Sequence, residues 1–416
     1  MRGVLGLVVV LALLLAGSVA AQGKSPPAFG DAPGAFRVTV FADGLDFPAG
    51  MTSLPDGSIL VGTSRPVGGS YFQSSGELLR LVDADGDGAA DDERTVLAHN
   101  LPGTITAVAR AGNLVFVTSA EKGRERISFW RSDGDWQAPL ELVGSIDFRF
   151  ELFEHQTYGL AVSEYADDPR RVDLFFNVGA YANFAAGGTV DVDGLVSATL
   201  QDASIYRVTV EDNDGPVTVS DPELIATGLR NAAAFVIDPA SGDLLIAENG
   251  IDTPDDRLEA FSADELDRIA AAEIGGEPED FGFPASYVAY RTGEVVGEGG
   301  EPLLVTFQPL DGSESEGPAG IAVAPPSFPD GLNAGVFIGF HGQWDLTGVA
   351  NEENPVVYAD LATGEYSHVI GNEEPGVGHL NTLLATDDAL YVADLCADGS
   401  MVGVAPCGVI YEIRPR

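Results

Sequence analysis

Two cysteines, five histidines, three methionines and three tryptophans in 416 residues leave little chemistry to those side chains. Cys396 and Cys407 stand outside any paired metal-ligand spacing, which argues against zinc; they read as one disulfide stapling a hairpin near the C-terminus. Lys and Arg together number 21 against 64 Asp and Glu, a net charge of −43. Nucleic acid and anionic membrane both need clustered basic side chains, so both are excluded as partners. After the first residues no apolar run approaches the ~18 residues of a membrane span. There is also no nucleophile elbow, P-loop or dinucleotide fingerprint, and no Ser or Thr in a recognisable hydrolase context. Chemistry here calls for a general base, a metal or a bound organic cofactor.

The chain opens MRGVLGLVVVLALLLAGSVAAQG, an early Arg2, an apolar run and then small residues. This is the pattern of a cleaved secretory signal over residues 1–22, the alternative being an uncleaved anchor. The expectation is a secreted or periplasmic protein. The acidic residues are scattered, as suits a highly solvated surface.

With 51 Gly, 25 Pro and many short apolar runs bounded by turn residues, the sequence reads as all-β. One run recurs six times: PDGSILVG, GNLVFVTS, VDLFFNVG, GDLLIAEN, AGVFIGFH and DALYVADL. A segment rich in small residues precedes each one (AGMTSL, ITAVAR, YGLAVS, AAAFVI, AGIAVA, LNTLLA), and several are followed by a third strand. A multi-strand unit repeated at this length predicts a six-bladed β-propeller of four-stranded antiparallel blades over residues 36–416. FRVTVFADGL, 36–45, is expected to close the ring by pairing with the last blade. DRLEAFSADELDRIAAAE, 256–273, fits a short helix or an irregular insertion.

Registering the repeats places Asp46, Gly103, His155, Arg230, Glu316 and Gly378 in one column and Phe47, Thr104, Gln156, Asn231, Gly317 and His379 in the next. Residues just before the inner strands of a propeller converge on one rim of its channel. His155, Gln156, Arg230, Asn231 and His379 are therefore expected around one pocket, with His341 at a second-strand end beside it, whereas His99 and His368 read as surface loop residues. Arg230 either pairs with Glu316 or Asp46 or anchors a carboxylate ligand. Separately, DADGDGAADDE presents Asp83, Asp85, Asp87 and Asp91 at alternating positions with glycines, a spacing suited to calcium in a loop between blades one and two. Arg94 stands where an EF-hand has its bidentate acid, and a solvated acidic turn is the other reading.

These stretches resemble the glucose/sorbosone dehydrogenase family, soluble six-bladed propellers that use pyrroloquinoline quinone (PQQ) with calcium. The resemblance rests on GLDFPAGMTSLPDGSILVGTSR, EHQTYGL, GLRNAAAFVIDPASGDLLIAENGIDTPDD, DFGFP, EGPAGIAVAPPSFPDGLNAGVFIGFHGQW and GVIYEIRP, in that order. It implies His155 as general base, with Arg230 and Asn231 on the quinone and Arg230 polarising the carbonyl that accepts hydride. It also implies backbone carbonyls of Gly250 and Ile251 on an active-site calcium. The sequence departs from the family at Ile251, usually Pro, at Ala232 to Ala234, and where further basic residues are usual; His341, His379 and Asn381 stand there. The implied activity is oxidation of a sugar or related hydroxyl or aldehyde substrate with an external electron acceptor. Two other readings remain: a calcium-dependent lactone hydrolase using Glu316, Asn231 and Asp46, and a non-catalytic propeller that binds carbohydrate or protein.

Overall fold

The computed structural model describes residues 26–30, 34–121, 123–150, 155, 157–213, 215–251, 262–300, 304–307, 317–342, 355–371, 379–397, 401–402 and 406–416. The signal-like segment 1–22 lies outside them. The described residues are all-β, in six small sheets arranged as the blades of a propeller and one separate two-stranded hairpin, Tyr287–Val288 with Val295–Val296.

The inner strands are Pro48–Ser53, Thr104–Ala111, Leu160–Tyr165, Ala232–Ile237, Pro318–Val323 and Thr382–Ala385, the six segments rich in small residues. Each touches the next around the ring, and the last touches the first. Crowding at the axis explains their composition. A Cβ on Gly50, whose φ is +81°, would lie 2.4 Å from the backbone nitrogen of Val108 in the neighbouring blade. The same Gly50 donates its N–H to Thr382 Oγ1 at 2.8 Å, tying blade one to blade six.

Each second strand starts at a residue aligned by the repeat or carries it within: Ile59, Leu114, Leu174, Leu244, Val336 and Leu390. Their alternate side chains enter the apolar layers between blades. One such layer fills each of the six interfaces, for example Phe116 and Phe129 against Leu174 and Phe176 between blades two and three. Burying a side chain of this size contributes about 1.5–3 kcal/mol, so each blade is held chiefly by its neighbours. Phe36–Leu45 pairs antiparallel with Gly408–Pro415 and closes the ring as the sequence predicts. The Cys396–Cys407 disulfide forms within that last blade.

Three expectations need correction. Asp264–Ile269 is the third strand of blade four, paired with Leu244–Glu248, and not part of a helix. Its apolar spacing suggested a helix because Leu266 and Ile269 lie three residues apart, yet Asp267 and Ile269 share one strand face. Blades two and three exceed four strands. Thr189–Gly194 and Ala198–Gln201, inserted in blade three, extend blade two, and Glu279–Asp280 runs parallel to Glu223–Thr227. Finally, the aspartate-rich loop lies within blade one, between Gln73–Leu81 and Thr95–Pro102, and docks on the closing strand. There Thr39 Oγ1 donates to Gly88 O at 2.8 Å and Ala90 N–H to Phe41 O at 2.7 Å.

Replacing both cysteines by serine should cost about 2–4 kcal/mol, the usual worth of closing a loop of this length. Denaturant unfolding of the Cys396→Ser/Cys407→Ser protein checks this.

Candidate functional site

The turn before an inner strand has backbone N–H groups with no ladder partner, and an unpaired buried N–H costs about 1–3 kcal/mol. In this rim side chains take them. Glu125, 2% exposed, accepts Thr157 N–H at 2.7 Å. Asn177 Oδ1 accepts the next two, from Tyr158 at 2.9 Å and Gly159 at 3.1 Å. Three successive amides after His155 and Gln156 are thus fixed by neighbouring strands; Gln156 itself lies outside the described residues. In blade four Glu248 accepts Arg230 N–H, and Asp264 accepts Gly250 N–H at 2.9 Å and Gly317 N–H at 3.1 Å.

On this support His155 and Arg230 come together through Ala180. The carbonyl of Ala180 receives the His155 ring at Nδ1, 3.1 Å, and the His155 N–H at 3.3 Å, while Ala180 N–H donates to Arg230 O at 2.8 Å. A carbonyl only accepts, so Nδ1 carries the proton and the neutral ring keeps its lone pair on Nε2. Burial first, and the Arg230 charge second, push the pKa of His155 down to about 3, against the bond to Ala180. The Arg230 guanidinium gives Nη2 to Asn183 Oδ1 at 2.7 Å, Nε to the same atom at 3.1 Å, and Nη1 to Asn249 O at 3.2 Å. Of its two expected acidic partners, Glu316 lies outside the described residues and Asp46 forms no hydrogen bond with it. Asn231 Oδ1 and Asn249 Oδ1, both buried, have no hydrogen-bond partner.

The rim continues through Gly317, whose carbonyl accepts His341 N–H at 2.9 Å. His341 and His379 stack at 4.5 Å between ring centroids. His379 Nδ1 meets His341 O, and His341 Nδ1 meets Asn381 Oδ1 at 3.0 Å. Burial, then His379, pushes His341 down to about 3. It is a neutral, packed group and does not replace a basic residue. Phe47 and Tyr71 of blade one pack with Met401 and the disulfide of blade six in an apolar cluster.

Gly250 and Ile251 follow the Asp264 clamp. Ile251 is 3% exposed beside Ala180 and Phe283, and its carbonyl accepts Ser262 N–H at 3.2 Å, which leaves one lone pair. His99 and His368 lie in the outer strands Thr95–Pro102 and Tyr366–Ile370, away from the rim and not in loops. In the aspartate loop Asp83, Asp85 and Asp87 gather their oxygens within 4.8 Å, and Asp91 is not in that group. Asp83 also accepts N–H groups of Gly86 at 2.8 Å and Gly88 at 3.0 Å. Of two surface clefts, one of about 470 Å³ at Leu304–Thr306 and Gly364–Tyr366 contains no rim residue, and one of about 390 Å³ around Ser119, Arg126 and Asp147 reaches the rim at Glu125 and contains neither His155 nor Arg230.

Sequence reasoning missed Ala180, Asn183, Asn249, Glu125, Glu248 and Asp264. Glu248 left a trace: LLIAEN ends a buried-type strand with it, at the repeat position that Asp394 holds in LYVADL, and a buried acid demands a partner. Asp394 Oδ1 accordingly accepts Cys396 N–H at 3.1 Å.

No family model matches the chain, and no curated relative matches it. Solved structures do. A calcium structure of a carbohydrate-active enzyme of family AA12 from Trichoderma reesei superposes with a TM-score of 0.59 at 14% identity, covering 94% of this chain and 98% of that one. The holo pyranose dehydrogenase PQQ domain of Coprinopsis cinerea gives 0.55 at 14%, covering 94% and 99%. The PQQ-bound aldose sugar dehydrogenase of Streptomyces coelicolor gives 0.55 at 18%, covering 94% and 100%. The fold is shared from end to end, and the resemblance read from the sequence holds at that level.

Two outcomes follow from the rim and the loop. The His155 ring should stay uncharged at pH 5 in long-range proton–nitrogen NMR, and Arg230→Gln should raise its pKa while burial keeps it below 6.5. The sign for stability is fixed: between about 6.5 and about 3 the unfolded chain binds protons that His155 and His341 refuse, so stability is lost as pH falls through that window. Asp83→Ala/Asp85→Ala should lower the melting temperature only when calcium is present; an unchanged calcium response removes the ion from that loop.

Proposed function

We propose that the protein is an exported, calcium- and PQQ-dependent dehydrogenase that oxidises a sugar or related hydroxyl or aldehyde-hydrate substrate and passes electrons to an external acceptor. The observation that carries this reading is the Ala180 bridge, which sets a neutral imidazole with a free Nε2 lone pair beside a buried guanidinium. The fold shared with PQQ-bound sugar dehydrogenases supports it.

The donor set fits both groups. Arg230 offers the planar cation that carboxylates bind, and the unpartnered Asn231 Oδ1 and Asn249 Oδ1 are buried acceptors beside it that call for a donor or a cation. Arg230 and Asn231 would hold the quinone, and the carbonyls of Gly250 and Ile251 the calcium. When bound, PQQ supplies the two-electron acceptor for hydride from the substrate carbon. His155 Nε2 takes the hydroxyl proton. Arg230 orients the acceptor carbonyl, and the Glu125 and Asn177 clamps hold the histidine turn while this happens. A pKa near 3 makes a weak base, but the Arg230 charge contributes to that value. Bound carboxylates would offset this charge, the smaller of the two causes.

A second reading has one observation in its favour: the same two asparagine oxygens suit a metal-dependent lactone hydrolase. Reconstitution separates the two. Purified protein given calcium and PQQ should reduce dye with aldoses; turnover of lactones with calcium alone, and no quinone binding, would replace the dehydrogenase reading. His155→Ala should lower dye reduction about 10²–10⁴-fold, the range of general base catalysis, with the circular dichroism spectrum unchanged. Retained activity would remove His155 from the mechanism.

A further inference from the structure

Blade two turns one charged strand face toward the cleft of about 390 Å³. Residues directly opposite in an antiparallel pair share a face, and the register builds this one row by row. Arg124 stands opposite Glu121 on one side and Arg149 on the other. In the next row Arg126 stands between Ser119 and Asp147, and Asp193 lies beyond Asp147. All of these residues line the cleft.

The arginines and acids of this face do not cancel in pairs. Arg126 is committed: its Nε donates to Asp147 at 2.5 Å, and Ser145 Oγ donates to the same carboxylate at 2.7 Å. Arg149 reaches Asp193, but the two side chains are 69% and 47% exposed, and such a pair contributes about 0–1 kcal/mol. Arg124 forms no ion pair among the described residues, although Glu121 lies across from it. It stands instead against Arg149, and like charges placed directly opposite destabilise a ladder. In a chain with 21 basic residues against 64 acids, two arginines set face to face call for an anion. An oxyanion between them removes the repulsion and engages the planar donor forks of both. Lining the same cleft, Ser119 is 2% exposed and its hydroxyl has no hydrogen-bond partner, which supplies one more donor.

We propose that Arg124 and Arg149, with the Ser119 hydroxyl, bind a small oxyanion in this cleft, a carboxylate foremost. The overall field of a chain of net charge −43 repels anions, so selection falls to the local pair. Glu125, next along the strand from Arg124, fixes Thr157 two residues beyond His155, so the cleft adjoins the candidate site without using its groups. The choice of a sugar acid as occupant rests on the dehydrogenase reading. An aldehyde hydrate that gives a hydride to the quinone and a hydroxyl proton to a base becomes a carboxylic acid, so the product class itself supplies the anion. Inorganic sulfate is the other source of the same chemistry.

The test titrates the full chain, in chelator and without quinone, with sodium sulfate, sodium gluconate and neutral glucose at constant ionic strength. Calorimetry gives the affinity, and the arginine Nε–H signals in NMR give the place. Both anions should bind saturably and shift the signals of Arg124 and Arg149, and glucose should not. Arg124→Gln and Arg149→Gln should each weaken binding about tenfold, the loss of one charge-assisted contact. Arg80→Gln, which breaks the pair with Asp56 in blade one, should leave it unchanged. Binding of sulfate without gluconate would keep the oxyanion site and overturn the sugar acid as its occupant. No saturable binding of either anion, equal binding of glucose, or full affinity in both variants would overturn the proposal. Quinone binding and turnover do not enter these readouts, so a failed titration and a failed reconstitution are separate results.

Discussion

The rim depends on one recurring arrangement, a buried acid or amide accepting backbone N–H groups where a blade begins or a strand ends. Glu125, Asn177, Glu248, Asp264 and Asp394 all do this. The ladder cannot serve these amides, because the chain there is turning from one blade to the next. Water serves them poorly, because the inner strands crowd the axis. An acceptor delivered from an adjacent strand solves both problems and, unlike water, fixes a direction. The cost is desolvation of the acid, visible in Glu125 and Glu248, whose pKa values burial drives well upward.

That arrangement also decides where chemistry is possible. In blades one and two the rim is closed by Phe47 and Tyr71, whose hydroxyl donates to Ile105 O at 3.0 Å. In blades three to five Glu125, Asn177, Glu248 and Asp264 hold the amides, and His155 and Arg230 meet there through Ala180. The asymmetry comes from sequence differences at equivalent repeat positions, since the backbone scaffold is nearly the same in each blade. The candidate site thus occupies part of a quasi-symmetric ring.

Much of this was legible beforehand. Six recurring runs gave blade number, inner strands and ring closure, because the apolar period and the small-residue segments report burial directly. His155 and Arg230 were placed together by register alone. The third strand of blade four was not legible: DELDRI carries acids on a buried face, and the spacing of Leu266 and Ile269 suits a helix. Asn183 and Ala180 belong to an irregular loop with no repeat counterpart, so no column contained them. His341 and His379 lie stacked on each other, but sequence shows a titratable type and not the burial that, before the His379 charge, keeps His341 neutral.

The electrostatics of the rim then tie ligand and metal together. Of the groups that the sequence offers to an anion in the polar half, Arg230 is a cation, while His155 and His341 are held neutral by burial. Glu248 and Asp264 stand directly behind Arg230 and Gly250 in a chain of net charge −43. On the proposed reading, a ligand bearing several carboxylates would meet, among the described rim residues, the Arg230 guanidinium against an acidic background, and a divalent ion at the Gly250 donors would add to its affinity. Coupling between two binding events is reciprocal. On that reading a cation that admits such a ligand would be held more tightly once the ligand is bound, so that coupling would add to the permanent charge of the described rim residues.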